Sequence, residues 1–457
     1  MNPAGGRAPA KVSQPTPPST NHPSRIRWWI MAFTTLTTAV AMVGRLDIGI
    51  LGKYIQDEFA FNPQTMGWIF SAFAFAYQPF QIPGGWAGDR YGPRKIFTFS
   101  ILLWAAATAA IALVSRLPLN QWVGIAWSFA ILRFLTGIGE APTSPNAARA
   151  VSNWMGSVRR GLGVSFHMVG IGLGGALAPV AITWIGQRWG WRPCFYLASA
   201  LGIVVALIWW FYSTDSPEEH PKVNAAELAL IRAGRMGREP HSGAQRGQRE
   251  RPPWRKIFSS LSVWAMLLSY FCQGYMPFIY MTWFFIYLVR VRGLSMMQGG
   301  AWGSAPFVAI LFLAPLGGWL SDLAVVKFGK RRGRQSTVWL GMGGSAILLW
   351  VGSHTANNTA ALLMLTVAAG FNYFALPSWW ATCIDLTPDH AGSLSGLMNM
   401  CSGGWLAPIL TAYIATHFGW TQALDFAALL TAVGGFLWIF VNASGSLEDA
   451  PVHSAAG

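Results

Sequence analysis

The chain has 457 residues, of which 53% are hydrophobic and only 11% are charged, and its formal net charge is +15. Soluble domains carry roughly 25% charged residues. The composition therefore excludes an ordinary soluble protein and indicates that the chain itself lies in the lipid bilayer. The positive charges are spread over separate loops, which argues against binding of nucleic acid.

The predicted elements follow from the apolar runs, since a membrane-spanning helix needs about 20 apolar residues. We predict residues 1–25 to be a disordered cytoplasmic N-terminus and the rest to be an all-α integral membrane protein with twelve transmembrane helices. The predicted spans are 27–50, 65–88, 95–114, 121–148, 160–186, 192–213, 259–289, 298–326, 335–353, 358–384, 392–417 and 421–443.

The spans group into two halves. We predict an N-terminal six-helix bundle over 26–213, a cytoplasmic linker over 214–257, a C-terminal six-helix bundle over 258–443 and a cytoplasmic tail over 444–457. In the linker, Asn224 as an N-cap with Glu227 as its capping-box partner predicts a short helix over 224–236.

Basic residues set the orientation. They cluster after spans two, four, six and eight, whereas the opposite loops hold mostly single basic residues or pairs. The positive-inside rule therefore predicts that both termini face the cytoplasm.

A short segment occurs twice. The stretch 84–95 returns in part at 317–332, and a second echo links 175–179 to 404–408 at nearly the same spacing. Repeats of this kind are typical of transporters whose halves rock around a central site.

The repeated segment predicts a gate. Asp89 ends span two, and its carboxylate can either pair with Arg94 or meet the N-terminus of a neighbouring helix. We predict that Asp89, Arg90, Arg94 and the equivalent Asp322 stabilise the cytoplasmically closed state. The alternative is a tight turn whose charges only set topology.

The intramembrane charges predict a site, because charges inside a bilayer are costly and usually face a polar cavity. Arg133 and Glu140 lie seven residues apart on one face of span four. Arg133 suits a carboxylate ligand, and Glu140 can exchange a proton; alternatively, the two form a structural pair.

The repeated segment, with stretches 67–85, 133–149 and 217–227, resembles the major facilitator superfamily. More narrowly, the chain resembles the anion:cation symporter family, which includes bacterial hexuronate, galactonate and glucarate transporters. The resemblance covers about 26–443 and implies the major facilitator fold, with two pseudo-symmetric six-helix bundles.

The resemblance also implies ligands. Arg45 matches an arginine associated with anion binding, although Gly44 stands where the family often has a proton-coupling acid. Asp47, about 200° around the helix from that arginine, is not expected to replace the acid directly. An alternative for Arg45 is snorkelling to the outer interface.

Further candidate cavity residues come from residue chemistry in one case and from the family resemblance in the others. His167 lies deep in span five, where it can bind substrate or carry a proton, or act as a structural hydrogen-bonder. Tyr77, Trp380 and Asn399 align with cavity positions of similar sugar-acid carriers, and ordinary packing is their alternative.

We therefore expect a monomeric secondary transporter in a bacterial inner membrane that couples protons to import of a small organic anion, most of all a sugar acid. Alternatives are an aromatic acid, a dicarboxylate or phosphate as substrate, proton-independent exchange or uniport, and a non-transporting sensor. The sequence carries no nucleophile, metal-ligand or phosphate-loop motif, so we expect neither an enzyme nor a cofactor or metal.

Overall fold

The computed structural model describes residues 22–61, 63–234, 252–284 and 287–448. Within these ranges the chain is helical and contains no strand. The helices are α1 (Ile26–Phe59), α2 (Pro63–Tyr91), α3 (Pro93–Ala112), α4 (Leu119–Glu140), α5 (Thr143–Trp154), α6 (Arg160–Trp189), α7 (Arg192–Tyr212), α8 (Ala225–Ala233), α9 (Trp254–Ser259), α10 (Leu261–Thr282), α11 (Met296–His354), α12 (Asn358–Leu386), α13 (Ala391–Met400), α14 (Ala407–His417) and α15 (Trp420–Phe436).

The twelve predicted spans correspond to these helices. Helix α11 holds two of them, because Gly329 has a φ of 79° and turns the chain between the two halves of the helix. The pairs α4–α5 and α13–α14 each form one interrupted span. By length and composition alone, eight segments of the described chain are long and apolar enough to cross a membrane. One of these segments contains both halves of α11, so the eight account for nine of the predicted spans. The remaining three spans are α2, α10 and the pair α13–α14.

Helices α1 to α7 form the N-terminal bundle, and α10 to α15 form the C-terminal bundle. The bundles meet where α2 packs against α13 and α6 packs against α11. A side chain at Gly85 would collide with the backbone carbonyl of Gly392, and one at Gly318 with that of Gly161. The glycines of the repeated segment thus allow backbone-to-backbone contact between the bundles.

The linker helix is anchored to the first span. Asn224 caps α8 by accepting a hydrogen bond from the Glu227 amide at 2.9 Å, as predicted. The Glu227 carboxylate does not close the expected capping box, because it turns to the start of α1 and accepts hydrogen bonds from the amides of Ile26 at 2.9 Å and Arg27 at 3.2 Å. A buried carboxylate at this helix N-terminus satisfies otherwise unpaired backbone donors.

Several predicted segments lie outside the described residues. These are most of the predicted disordered N-terminus, 235–251 of the linker and 449–457 of the tail. The segment bounds of the two bundles, the linker and the tail remain predictions. We call the end of the bundles at which Asp89 and Asp322 lie the linker end.

Candidate substrate-binding site

A cavity of about 140 Å³ lies between the two bundles. Five of the six predicted substrate ligands line it: Arg45, Tyr77, His167, Trp380 and Asn399. The cavity is large enough for several water molecules or a small organic molecule. The geometry of its walls decides what kind of molecule fits.

Arg45 presents its guanidinium to the cavity. Its Nε donates a hydrogen bond to Glu140 Oε1 at 2.5 Å, and its Nη2 donates to the Tyr77 hydroxyl at 3.0 Å. The guanidinium lies 4.6 Å from the centre of the Tyr77 ring, and the side chain remains 23% exposed. Since an arginine has five N–H donors, donors remain that can bind an anion in the cavity.

Glu140 lies behind Arg45 and not at the cavity surface. Its side chain is 2% exposed, and Arg45 is its ion-pair partner. The charged form of a buried carboxyl group is stabilised by an adjacent arginine. When the carboxyl group is protonated, this ion pair is lost and the arginine can bind another anion. This geometry joins a titratable carboxyl to the guanidinium that faces the cavity through one contact.

Arg133 does not line the cavity. Its Nη1 lies 4.0 Å from Asp47 Oδ1 and donates a hydrogen bond to the Gly44 carbonyl at 3.3 Å. Both side chains are buried, and Asp47 Oδ2 has no hydrogen-bond partner among the described residues. Arg133 thus neutralises Asp47 behind the site, and this geometry favours a positioning role over direct substrate contact.

His167 lines the cavity, but both ring nitrogens are engaged. Nδ1 lies 2.6 Å from the Thr38 hydroxyl, and Nε2 lies 3.0 Å from the Ser144 hydroxyl. Because the Thr38 hydroxyl donates to the Thr34 carbonyl, Nδ1 donates to Thr38, and in the neutral imidazole Ser144 then donates to Nε2. The contacts favour the structural hydrogen-bonder among the two predicted roles.

The wall formed by the C-terminal bundle is aromatic and amide-rich. Asn399 accepts a hydrogen bond from the Tyr270 hydroxyl at 2.9 Å and donates one to Gln81 Oε1 across the bundles. Gln273 donates to Asn372 Oδ1 at 2.7 Å. Asn399 therefore joins the bundles on the linker side of the cavity, a contact that sequence reasoning missed.

Asp89 closes the linker end on one side of the bundle interface. Its carboxylate accepts hydrogen bonds from the amides of Gly392 at 3.0 Å and Ser393 at 2.7 Å, at the N-terminus of α13 in the other bundle. Of the two predicted partners, the structure shows the helix N-terminus. Arg149 lies 3.7 Å from Asp89 and donates to the carbonyls of Pro388 and Asp389.

Asp322 makes the equivalent contact on the other side. It accepts hydrogen bonds from the amides of Gly161 at 2.9 Å and Leu162 at 2.7 Å, at the N-terminus of α6. Arg334 holds it from its own bundle at 2.8 Å. The two repeats thus place one carboxylate each on a helix N-terminus of the opposite bundle.

A further carboxylate, missed by sequence reasoning, lies beside Asp322. Asp385 pairs across the interface with Arg160 at 2.7 Å and within its own bundle with Lys330 at 3.0 Å. The available signal was its position at the end of span ten, which matches that of Asp89 at the end of span two.

The structure does not bring Arg90 and Arg94 to the bundle interface. Arg90 lies over the rings of Trp86 and Tyr91, at 5.7 Å from each centre. Arg94 donates to the Trp210 carbonyl at 2.9 and 2.6 Å within its own bundle. The place predicted for Arg90 and Arg94 is taken by Arg149 and Arg160, whose side chains reach the neighbouring bundle.

Comparison with solved structures gives the same fold. The proton:xylose symporter XylE superposes with a TM-score of 0.72 at 18% identity, covering 92% of this chain and 97% of that one. The Escherichia coli fucose:proton symporter FucP gives 0.62 at 16% identity, covering 92% and 100%. The predicted twelve-helix major facilitator fold is confirmed.

Curated relatives cover nearly the whole chain. A probable sulfoacetate transporter of Cupriavidus necator is 29% identical over 423 residues, 92% of this chain and 94% of the relative. A probable galactarate/D-glucarate transporter of Escherichia coli K12 is 30% identical over 404 residues, covering 86% and 88%. A D-galactonate transporter of Escherichia coli O6:H1 is 28% identical over 426 residues, covering 92% and 96%.

The predicted resemblance to sugar-acid transporters is confirmed by these relatives, which are transporters and not enzymes. The sequence profile of the Major Facilitator Superfamily matches residues 29–406. The chain therefore belongs to the Major Facilitator Superfamily and is a multi-pass membrane transporter.

Proposed function

We propose that this protein is a secondary transporter that moves a small organic anion, a sugar acid in particular, together with protons. Relatives named for galactonate, galactarate and D-glucarate support the substrate class. The observation that carries the proposal is the position of Arg45, which is bonded to a buried carboxyl on one side and faces the cavity on the other.

Coupling follows from competition for one guanidinium. While Glu140 is charged, it holds Arg45 at 2.5 Å and neutralises the charge that an anion needs. Protonation of Glu140 weakens this pair and leaves Arg45 to bind the substrate carboxylate. A substrate that leaves returns Arg45 to Glu140, which favours release of the proton.

The gate supplies alternating access. We infer from the positive-inside rule that the linker end faces the cytoplasm, so the described conformation is the cytoplasmically closed state. Asp89 and Asp322 hold the bundles together at that end, and both contacts must break for the cavity to open toward the cytoplasm. Binding that favours one arrangement of the bundles over the other shifts this equilibrium.

The test is uptake of a panel of labelled organic anions into proteoliposomes that contain the purified protein. We expect one sugar acid to accumulate when an inward proton gradient is imposed and to equilibrate slowly without it. Equal uptake in both conditions contradicts coupling and leaves an exchanger or uniporter. Uptake of aromatic acids or phosphate alone contradicts the sugar-acid assignment.

A further inference from the structure

The charge of the cavity limits the charge of its substrate. Arg45 is the one charged side chain among the described residues that line the cavity between the bundles. Carboxylates in apolar surroundings need a charged or multiply hydrogen-bonded partner, because desolvation of an unpaired charge costs far more than desolvation of a hydroxyl. When Glu140 is protonated, the cavity therefore offers one full positive charge, that of Arg45, to a bound anion.

The neighbouring charges do not add a second cationic site. Glu140 pairs with Arg45, and Asp47 lies against Arg133, so that two cations and two carboxylates balance one another. Arg133 is 4% exposed at its side chain and is absent from the cavity lining. A second anionic group on the substrate would thus have to be neutralised elsewhere.

The wall opposite Arg45 is uncharged. It presents Gln273, Tyr373, Trp380 and Ser402 to the cavity. Gln273 uses its amide N–H on Asn372, so its carbonyl oxygen remains an acceptor. Phenol, amide and hydroxyl groups of this kind bind sugar hydroxyls, and an aromatic face packs against a sugar ring or chain.

We propose that the site selects organic anions with a single anionic group and an uncharged, hydroxyl-bearing remainder. Aldonates and hexuronates meet this description, whereas aldarates and other dicarboxylates do not. The proposal rests on the proposed function and narrows it. It separates this chain from its relatives named for the dianions sulfoacetate, galactarate and D-glucarate, and aligns it with the one named for galactonate.

A matched pair of ligands tests the proposal. D-Galactonate and galactarate share the same six-carbon chain and differ only at the sixth carbon, which is a hydroxymethyl group in the first and a carboxylate in the second. Both are added at pH 7 as competitors of labelled galactonate uptake, and as ligands of the purified protein in a thermal-shift assay.

We expect galactonate to compete at concentrations at least about tenfold lower than galactarate, a difference of about 1.4 kcal/mol. Equal or better competition by galactarate overturns the single-charge inference and leaves the proposed function standing. Failure of both ligands and of every other sugar acid of the panel, hexuronates included, to shift the melting temperature and to enter the vesicles overturns the proposed function and the inference together.

A second test keeps the two ligands and changes the charge of the cavity wall instead. Gln273→Lys places a cation on the uncharged wall, and Gln273→Met is the matched control of similar length without charge. The lysine variant should reduce the galactonate preference severalfold relative to the methionine variant. If the two variants show the same preference, the uncharged wall is not what excludes the second carboxylate, and the inference fails.

Discussion

Replacing Asp89 by Asn tests the gate. The Asp89 carboxylate is 2% exposed and accepts three hydrogen bonds across the interface, two from backbone amides and one from the Ser393 hydroxyl at 2.7 Å. Asparagine keeps one acceptor oxygen and turns an N–H group toward donors. Hydrogen bonds to a charged group contribute about 1.5–3 kcal/mol each, so we expect the closed state to lose about 2–3 kcal/mol.

This loss changes the ratio of closed to open molecules by roughly 30- to 150-fold. The assay is the distance between spin labels at Val158 and Phe328, exposed positions of the two bundles at the linker end, in a background without the four native cysteines. The distance distribution of Asp89→Asn should shift toward longer values.

Arg90→Gln is the matched control, because Arg90 belongs to the same repeated segment but lies over two rings of its own helix in the part of the chain that the structure describes. It should leave the distribution unchanged. An unchanged distribution for Asp89→Asn, or an equal shift for Arg90→Gln, would refute the assignment of the gate to the carboxylate on the α13 N-terminus.

Three further changes test the site and its supports. Arg45→Lys should raise the substrate Kd at least about tenfold, because lysine cannot contact Tyr77 and Glu140 together in the arginine geometry; binding is measured by thermal shift. Asp47→Asn should lower the folded yield in size-exclusion chromatography, because it leaves Arg133 buried without a counter-charge, at about 3–5 kcal/mol. Glu227→Gln should lower the melting temperature without changing Kd, since the capping of α1 is worth about 1–2 kcal/mol.

Each of these changes has its own comparison. The exposed Arg116 and Glu219 supply two controls: Arg116→Lys repeats the arginine-to-lysine exchange with the charge kept, and Glu219→Gln removes one negative charge. Neither should reproduce the effects. The double variant Asp47→Asn with Arg133→Gln should recover part of the folded yield, because it removes both charges. A double variant worse than the single one would show that the pair is not what stabilises the fold.

The sequence predicts the fold well because the bilayer imposes a length on every span. Runs of about 20 apolar residues specify helices whatever their neighbours are. Gly329 marks the turn between the two spans of α11. The two copies of the repeated segment also single out Asp89 and Asp322 as gate carboxylates. For Asp89 the sequence left two partners open, Arg94 and the N-terminus of a neighbouring helix, and the structure shows the second.

The partners of the buried charges were harder to predict. The spacing of Arg133 and Glu140 places both on one face of α4, but it does not say which helix covers that face. In the structure α1 supplies the partners of both residues: Arg45 forms an ion pair with Glu140, and Asp47 forms one with Arg133. Helical periodicity fixes a direction around one helix axis, whereas the pairing depends on the rotation and depth of the neighbouring helix.

The same limit explains the basic residues of the gate. Arg90, Arg94 and Arg149 all lie near span ends at the linker end, and charge alone does not distinguish them. Arg149 reaches the other bundle because α5 packs against α13, while Arg94 faces α7 of its own bundle. Topology charges and gate charges therefore look alike until the packing of the helices is known.

The measurement that tests the central claim most directly compares Glu140→Gln with the unmodified protein in two assays on the same proteoliposomes. Counterflow of labelled against unlabelled substrate needs binding and alternating access but no net proton movement, whereas gradient-driven accumulation needs coupling. We predict that Glu140→Gln keeps counterflow and loses accumulation. Accumulation that persists in the variant with unchanged pH dependence would contradict the account, because the proton would then travel by another group.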